Sequence, residues 1–324
     1  MLWSVRFALL GWASLLSVGC GSSFVPPPPP ELVAQSEKTL PPPAKRIELI
    51  LLADENPERS LWLHLAPSEA GRAKVLLQVS RPKPGEPPAR QASLIREAIA
   101  RGVAALIVEP AEAPEIADAL AEAQAKGVVV VLIDRTVPSR GKPFTVVTHE
   151  PFSKSARSLV DAVLKDVKIE ELSPRGPAIL LVNDLADSHT AGRAAALKDA
   201  LRDAGVTMLD PLTFDGGPAN AWLKLIGALA VHPEVDIVLA DEHQGLSAAG
   251  NVQADKSKIK PIFAGYTMYG GEDLRLGSLP GCAAVADRNI QMLVRKFLKA
   301  AVDLAEGKTI PERIEVPLIF HRSE

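Results

Sequence analysis

The chain has 324 residues, 47% hydrophobic, 23% charged and only 4% aromatic, with a formal net charge of −3. That is material for two ordinary globular domains or one large one, and its Lys and Arg are interspersed with acids, which argues against a nucleic-acid partner. With Cys20 and Cys282 its only cysteines, a disulfide scaffold is excluded.

Residues 1–19 read as an export signal: Arg6 supplies the one positive charge and Phe7 to Val18 the apolar stretch. That stretch is shorter than the roughly 20 apolar residues of a membrane-spanning helix. Ser17-Val18-Gly19-Cys20 follows, small residues before a cysteine as in a bacterial lipobox, with the usual leucine one place early at Leu16. Processing there would make Cys20 the acylated first residue of the mature chain. It would remove Arg6 and no acid, shifting the net charge from −3 to −4. Ordinary secretion and a short uncleaved anchor are the other readings of the same segment.

Residues 20–44 read as a tether. Pro26 to Pro30 and Pro41 to Pro43 bracket a polar stretch, and proline runs favour extended polyproline II at about 3.1 Å per residue. Such a spacer would hold a globular body clear of a membrane; a proline-rich recognition motif is the alternative.

The body then alternates. Apolar strands are predicted at 47–53, 73–79, 103–108, 128–133 and 145–148, with helices at about 90–101 and 112–126 between them. After Pro174 to Pro177 a second series places strands at 178–183, 207–214, 235–240, 260–265 and 283–286. Helices at about 188–204, 218–231 and 243–254 separate them. A long helix over about 288–306 and an extended tail, Arg313 to Phe320, close the chain. Short all-apolar strands separated by helices belong to parallel sheets covered on both faces. Two such series predict an α/β protein of two doubly wound parallel-sheet lobes with a ligand cleft between them. Cys282 lies in an apolar run and is expected to be a small buried residue.

The strand Val130-Val131-Leu132-Ile133 ends in Asp134 and Arg135. Ligands of open α/β sheets bind at the carboxyl ends of the strands, where a carboxylate and a planar guanidinium could grip a polar molecule. A surface salt bridge is the other reading, and position alone does not separate the two.

Three segments, "AIARGVAALIVEPAEAPEIADALAEAQAKGVVVVLIDR", "HPEVDIVLADEH" and "GSLPGCAAVADRN", in this order and spacing, carry a resemblance. Over about residues 46–320 the chain resembles the periplasmic sugar-binding proteins of the ribose-binding type, a superfamily shared with the effector domains of LacI-type repressors. The resemblance implies three chain crossings at a hinge, with lobe one at 45–148 plus 288–316 and lobe two at 149–287 plus 317–324. Ligand would sit in the cleft, and hinge closure would favour the liganded state.

Residue by residue, the resemblance gives Asp134 and Arg135 the place of an Asp-Arg pair that binds sugar hydroxyls. Glu109 stands where the family often has Asn or Ser before Pro. Phe214 takes the place of an aromatic that packs on the sugar ring, and Asp241 that of an Asn or Asp. Arg193 resembles the arginine opening the helix after the first strand of lobe two. Asp287 takes the place of a Gln or Asp at the third crossing. Three departures stand out. The first-strand loop, Asn56-Pro57-Glu58-Arg59, keeps Asn56 as a ligand position but lacks the stacking aromatics, Trp62 being out of register. Thr267 replaces an Asp. Thr148-His149-Glu150 replaces a polar triplet at the first crossing. With Glu109, Asp134, Glu150, Asp241 and Asp287 near one cleft, an acid-lined pocket is expected. That suits a cationic or amine-bearing ligand, or a degenerate site for something larger; the same acids could instead cap helices.

Catalytic and cofactor signatures are not found. There is no G-x-x-x-x-G-K-[ST] loop and no G-x-G-x-x-G after a strand. Gly245 to Gly250 only loosely resembles a nucleophile elbow and lies in a predicted helix. The histidines at 64, 149, 189, 232, 243 and 321 form no H-x-x-x-H pair, and only His243 follows two acids, Asp241 and Glu242, so no metal is expected. His149 with Glu150 reads as a hinge hydrogen bond. The resemblance therefore implies a lipid-anchored solute-binding protein of an ABC-type importer, in the periplasm or at the cell surface. It would be a monomer capturing a small polar, carbohydrate-like ligand and presenting it to a membrane permease, with no cofactor. A sensor subunit for a membrane signalling partner and a secreted hydrolase on the same scaffold are the alternatives. A signal and tether stand where a repressor would carry its DNA-binding helices.

Overall fold

The computed structural model describes residues 45–53, 57–139, 141–166, 176–183, 188–215, 217–254, 261–267 and 281–322. The signal, Cys20, the proline tether and Asn56 lie outside the described residues. In chain order the first half runs β1 (Arg46–Ile50), α1 (Pro57–Arg72), β2 (Leu76–Ser80), α2 (Pro88–Ala100), β3 (Ala105–Val108), α3 (Pro114–Ala125), β4 (Val129–Ile133) and β5 (Thr145–His149). The second runs α4 (Phe152–Asp166), β6 (Ala178–Asn183), α5 (Ser188–Asp203), β7 (Leu212–Phe214), α6 (Pro218–Val231), β8 (Ile237–Ala240), α7 (His243–Ala254), β9 (Ile262–Thr267) and β10 (Cys282–Asp287). Helix α8 (Ile290–Ala305) and strands β11 (Arg313–Val316) and β12 (Ile319–Arg322) complete it.

Two separate six-stranded sheets form, in the orders β11-β5-β4-β3-β1-β2 and β12-β10-β9-β8-β6-β7. The first is parallel throughout; in the second only β12 runs antiparallel, against β10. Each order reverses direction beside its first strand, and ligands of doubly wound sheets bind at the carboxyl ends near that reversal. Here those ends are Glu109 after β3 in one sheet, and Asn183 and Asp241 after β6 and β8 in the other.

Alternation along the strands explains both covered faces. Ile47, Leu49, Ile107, Val131 and Ile133 point to the layer containing α1 and α8, while Ile50, Leu106, Val108, Val130 and Leu132 point to α2 and α3. The second sheet splits likewise between α4 with α5 and α6 with α7. Cys282 is buried in this last layer. Trp62 belongs to the core of the first lobe, its ring edge-on to Phe297 of α8 at 6.3 Å and 73°.

The chain passes between the sheets three times, at His149 to Phe152, Asp287 to Ile290 and Val316 to Ile319. Asp287 therefore stands at the second passage in chain order, not at the third as expected. Helices α1 and α4 are absent from the sequence reading. The buried face of α1 runs Glu58, Arg59, Trp62, Ala66, Glu69, Ala70, so charged residues occupy positions where an apolar periodicity would show, and Pro67 interrupts its interior.

Candidate functional site

Asp134 directly follows β4 and adopts the left-handed conformation, φ 60°, which a short polar side chain tolerates better than most. The Arg135 N–H donates to the Ile133 carbonyl, 2.6 Å away, closing a three-residue turn. The turn sends the two side chains to different partners. Asp134 lies 3.5 Å from His149 Nδ1 and 3.9 Å from Arg288 Nη2. Arg135 reaches Glu112, an exposed acid, at 3.1 Å.

Beside this turn is a cavity of about 790 Å³. Lobe one supplies most of its wall, from the segments following β3 and β4 and from Arg313. Phe152, the first residue of α4, is the lining residue from lobe two. The cavity thus lies between the lobes at the carboxyl ends of β3 and β4. Among the described residues its charged lining consists of Glu112, Asp134, Arg135 and Arg313, two acids and two arginines. Of the residues singled out from the sequence, Asp134 and Arg135 border it.

The others that are described do not line it. Glu109 is buried and held by both Nε and Nη2 of Arg59, each at 2.5 Å. Burial pushes the Glu109 carboxyl up against the opposing pull of Arg59. Phe214 is 2% exposed, packed in the core of lobe two against Gly245, so no ring face is open to a ligand in this arrangement. Thr267 is buried, its hydroxyl 3.3 Å from His243 Nδ1. Asp287 accepts from the Asn289 N–H at 2.8 Å and lies 4.0 Å from His321.

The acid-lined pocket is not what the structure shows, because each of its five acids has a partner. Glu109 has Arg59, Asp134 has His149 and Arg288, and Asp241 has Arg193 at 3.9 Å. Glu150 has Lys154 at 2.7 Å and the Leu318 N–H; Asp287 has the Asn289 N–H. Arg288, immediately after Asp287, draws several of these groups together. Its Nη1 donates to Glu58 Oε2 at 2.5 Å and its backbone carbonyl contacts His149 Nε2 at 2.6 Å. His149 therefore makes a hinge hydrogen bond as expected, but to the Arg288 carbonyl rather than to Glu150. Glu58, Asp134 and His149 offer ligand atoms within 4.8 Å of one another, a spacing a cation could use. The guanidinium of Arg288 already serves that place, which argues against a metal there.

On lobe two, Arg193 is buried with its Nε donating to the Asp241 carbonyl at 3.0 Å and its guanidinium 5.9 Å from the centre of the Phe152 ring. Asn183 donates from its backbone to Asp241 Oδ1 and from its side chain to Glu242. Burial, opposed by Arg193, pushes the Asp241 carboxyl from its usual 3.8 up to about 7. Burial also raises the Glu242 carboxyl and lowers the His243 imidazole.

A carboxyl whose folded-state pKa is raised binds its proton more tightly in the native state. Its contribution to stability is fully present below the unfolded value and is lost as pH rises through the folded one, here between 3.8 and about 7. Asp241→Asn cannot titrate. The variant's stability relative to wild type should therefore rise by on the order of 3 kcal/mol between about pH 4.5 and about pH 8. Urea unfolding across that range measures it; a difference that stays flat with pH contradicts the raised carboxyl.

The sequence reading missed Arg59, Glu58, Arg288 and Phe152. One signal was available: Asp287-Arg288 ends β10 as Asp134-Arg135 follows β4, the same dipeptide at two strand ends.

Comparison with known proteins gives the architecture its relatives. The chain is 26% identical over 249 residues to the ribose import binding protein of Bacillus subtilis (strain 168), covering 71% of this chain and 72% of that one. Among solved structures it is similar to an ABC transporter solute-binding protein from Bradyrhizobium sp. BTAi1 with bound bis-tris, at TM-score 0.73 and 15% identity, covering 87% of this chain and 84% of that one. A carbohydrate transporter solute-binding protein from Agrobacterium radiobacter in complex with D-arabinose gives TM-score 0.69 and 16% identity, with coverages of 86% and 94%. The myo-inositol-binding protein of Caulobacter gives 0.68 and 17%, with 88% and 96%. The family model described as a periplasmic binding protein domain matches residues 68–309. With three quarters of its length under that match and two parallel sheets linked by three passages, the chain belongs to the periplasmic binding protein family.

Proposed function

We propose that this chain is the solute-binding subunit of an ABC-type importer, taking a small carbohydrate-like polyol into the interlobe cavity and presenting it to a membrane permease. The observation that carries this reading is the cavity itself. Asp134 and Arg135 of lobe one and Phe152 of lobe two all line it, so a bound molecule would contact both halves and favour their closure. The relatives support the ligand class: ribose import is the named role of one, and D-arabinose, myo-inositol and bis-tris, all polyhydroxylated, are the bound molecules of others. The closing bodies are 45–148 with 288–316 and 149–287 with 317–324. The lipobox-like run before Cys20 and the proline segments after it support anchoring to a bacterial membrane, outside the cytoplasm. Binding, closure and delivery require no bond to be made or broken.

Arg135 is the residue to test. It pairs with Glu112, an exposed acid, while its own side chain is 15% exposed, and a partly exposed pair contributes on the order of 1 kcal/mol to stability. Arg135→Ala should therefore lower the melting temperature of the unliganded protein by only a few degrees. It should lose the ligand-induced stabilisation, about 2.7 kcal/mol at a hundredfold excess of ligand over Kd. A thermal-shift screen of pentoses, hexoses and cyclitols, repeated on the variant, decides it. A hit that shifts both proteins equally removes Arg135 from the site.

A further inference from the structure

We infer that the ligand is a ring-shaped polyol carrying an apolar extension, a glycoside rather than a free monosaccharide, with Phe152 as the platform for its ring. The inference rests on the reading of the interlobe cavity as a polyol site and narrows its ligand class.

Three observations carry it. The first is size. A hexose of about twelve heavy atoms fills roughly 360 Å³ even at the loose ~30 Å³ per heavy atom of liquid water. The cavity measures about 790 Å³, in the upper part of the range of about 300–1,000 Å³ that holds drug-sized ligands. The second is the distribution of polarity. Eight of the thirteen described lining residues are apolar, among them Pro110, Pro114, Val137 and Pro138, whereas the charged ones are Glu112, Asp134, Arg135 and Arg313. A free sugar carries hydroxyls around its whole rim and would leave those that meet the apolar side chains without protein partners, at a cost in affinity. A ring with hydroxyls on one edge and an aryl or alkyl group on the other would satisfy both sets of side chains.

The third is the aromatic itself. Phe214 is buried in the core, and the loop Asn56 to Arg59 contains no aromatic. Among the described residues Phe152 is the aromatic that lines the cavity. It is held from behind: a Cβ at Gly192 would meet its ring at 3.5 Å, and the Arg193 guanidinium lies 5.9 Å from its centre. A ring fixed this way offers a large apolar contact that costs little conformational entropy on binding. No such residue could be picked out from the sequence, since Phe152 opens a helix that follows Pro151 and carries no motif.

Titration calorimetry on the full soluble body tests this with matched pairs: ribose, arabinose, allose, glucose and galactose, each as the free sugar and as its phenyl glycoside. At least one phenyl glycoside should bind tenfold or more tightly than its parent sugar. Phe152→Leu, which keeps apolar bulk without the aromatic face, should lose that advantage, and Phe152→Trp should retain it. Free sugars binding as tightly as their glycosides, or an advantage that survives in Phe152→Leu, would overturn the inference and leave the polyol reading standing. Binding of neither member of any pair would overturn the polyol reading along with it.

Discussion

Truncating Arg59 to alanine should cost the protein about 3–5 kcal/mol, the range measured when one partner of a buried ion pair is removed. Both side chains of the Arg59–Glu109 pair are nearly inaccessible, at 4% and 6%. Glu109 also feels Glu58 and Asp134 as neighbouring like charges. Without Arg59, its carboxyl would keep the full penalty of desolvation with only repulsion around it. The pair as a whole is a different matter, because attraction between buried charges roughly offsets their desolvation. Arg59→Met combined with Glu109→Met should therefore recover most of the loss and come within about 1–2 kcal/mol of wild type. Urea denaturation of the two single variants and the double variant gives the coupling directly. An Arg59→Ala loss below about 1 kcal/mol would mean that water reaches Glu109 and that the pair is not sealed from solvent.

The same pair shows where sequence reading stops. The strands were legible because their apolar runs have the length and composition of doubly covered parallel strands, and the reversal in strand order follows from two consecutive βα series. The Asp134-Arg135 turn was legible because it directly follows such a strand, and the structure does place both residues on the interlobe cavity. What could not be read were pairings at long range. Arg59 and Glu109 are 50 residues apart, and Arg288 and Glu58 are 230 apart. Neither separation leaves a trace in local spacing. The acids were visible at their strand ends, whereas their counterions lay in a helix hidden by its own charged face and at a passage between lobes. An acidic cleft was thus the natural expectation, whereas among the described residues each of those five acids has a partner. Phe214 illustrates the complementary error: a strand does end at it, as predicted, but β7 turns it into the α6 and α7 layer.

Replacement of Arg288 by methionine should have the other large effect, because this residue compensates acids from both lobes at once. Its guanidinium bonds Glu58 of α1 and lies 3.9 Å from Asp134. Burial disfavours its charge, yet the pull of Glu58, Asp134 and Glu242 outweighs burial and raises its pKa. Glu242 belongs to lobe two, at the end of β8, so one cation screens carboxylates that would otherwise face each other across the cleft. Methionine keeps the packing of the side-chain stem and removes only the charge. A loss of about 3–5 kcal/mol is expected from the uncompensated acids, measured by urea unfolding. Like-charge repulsion between the lobes adds a second signature, a population shift toward the open form. Small-angle scattering should then show a larger radius of gyration for the variant than for wild type, both without ligand. Glu58→Gln added to Arg288→Met removes one acid of the set and should restore part of the stability, whereas a packing defect at position 288 would not respond. If the double variant is no more stable than the single one, Arg288 acts as a spacer at the second passage and not as the counterion that holds the two halves together.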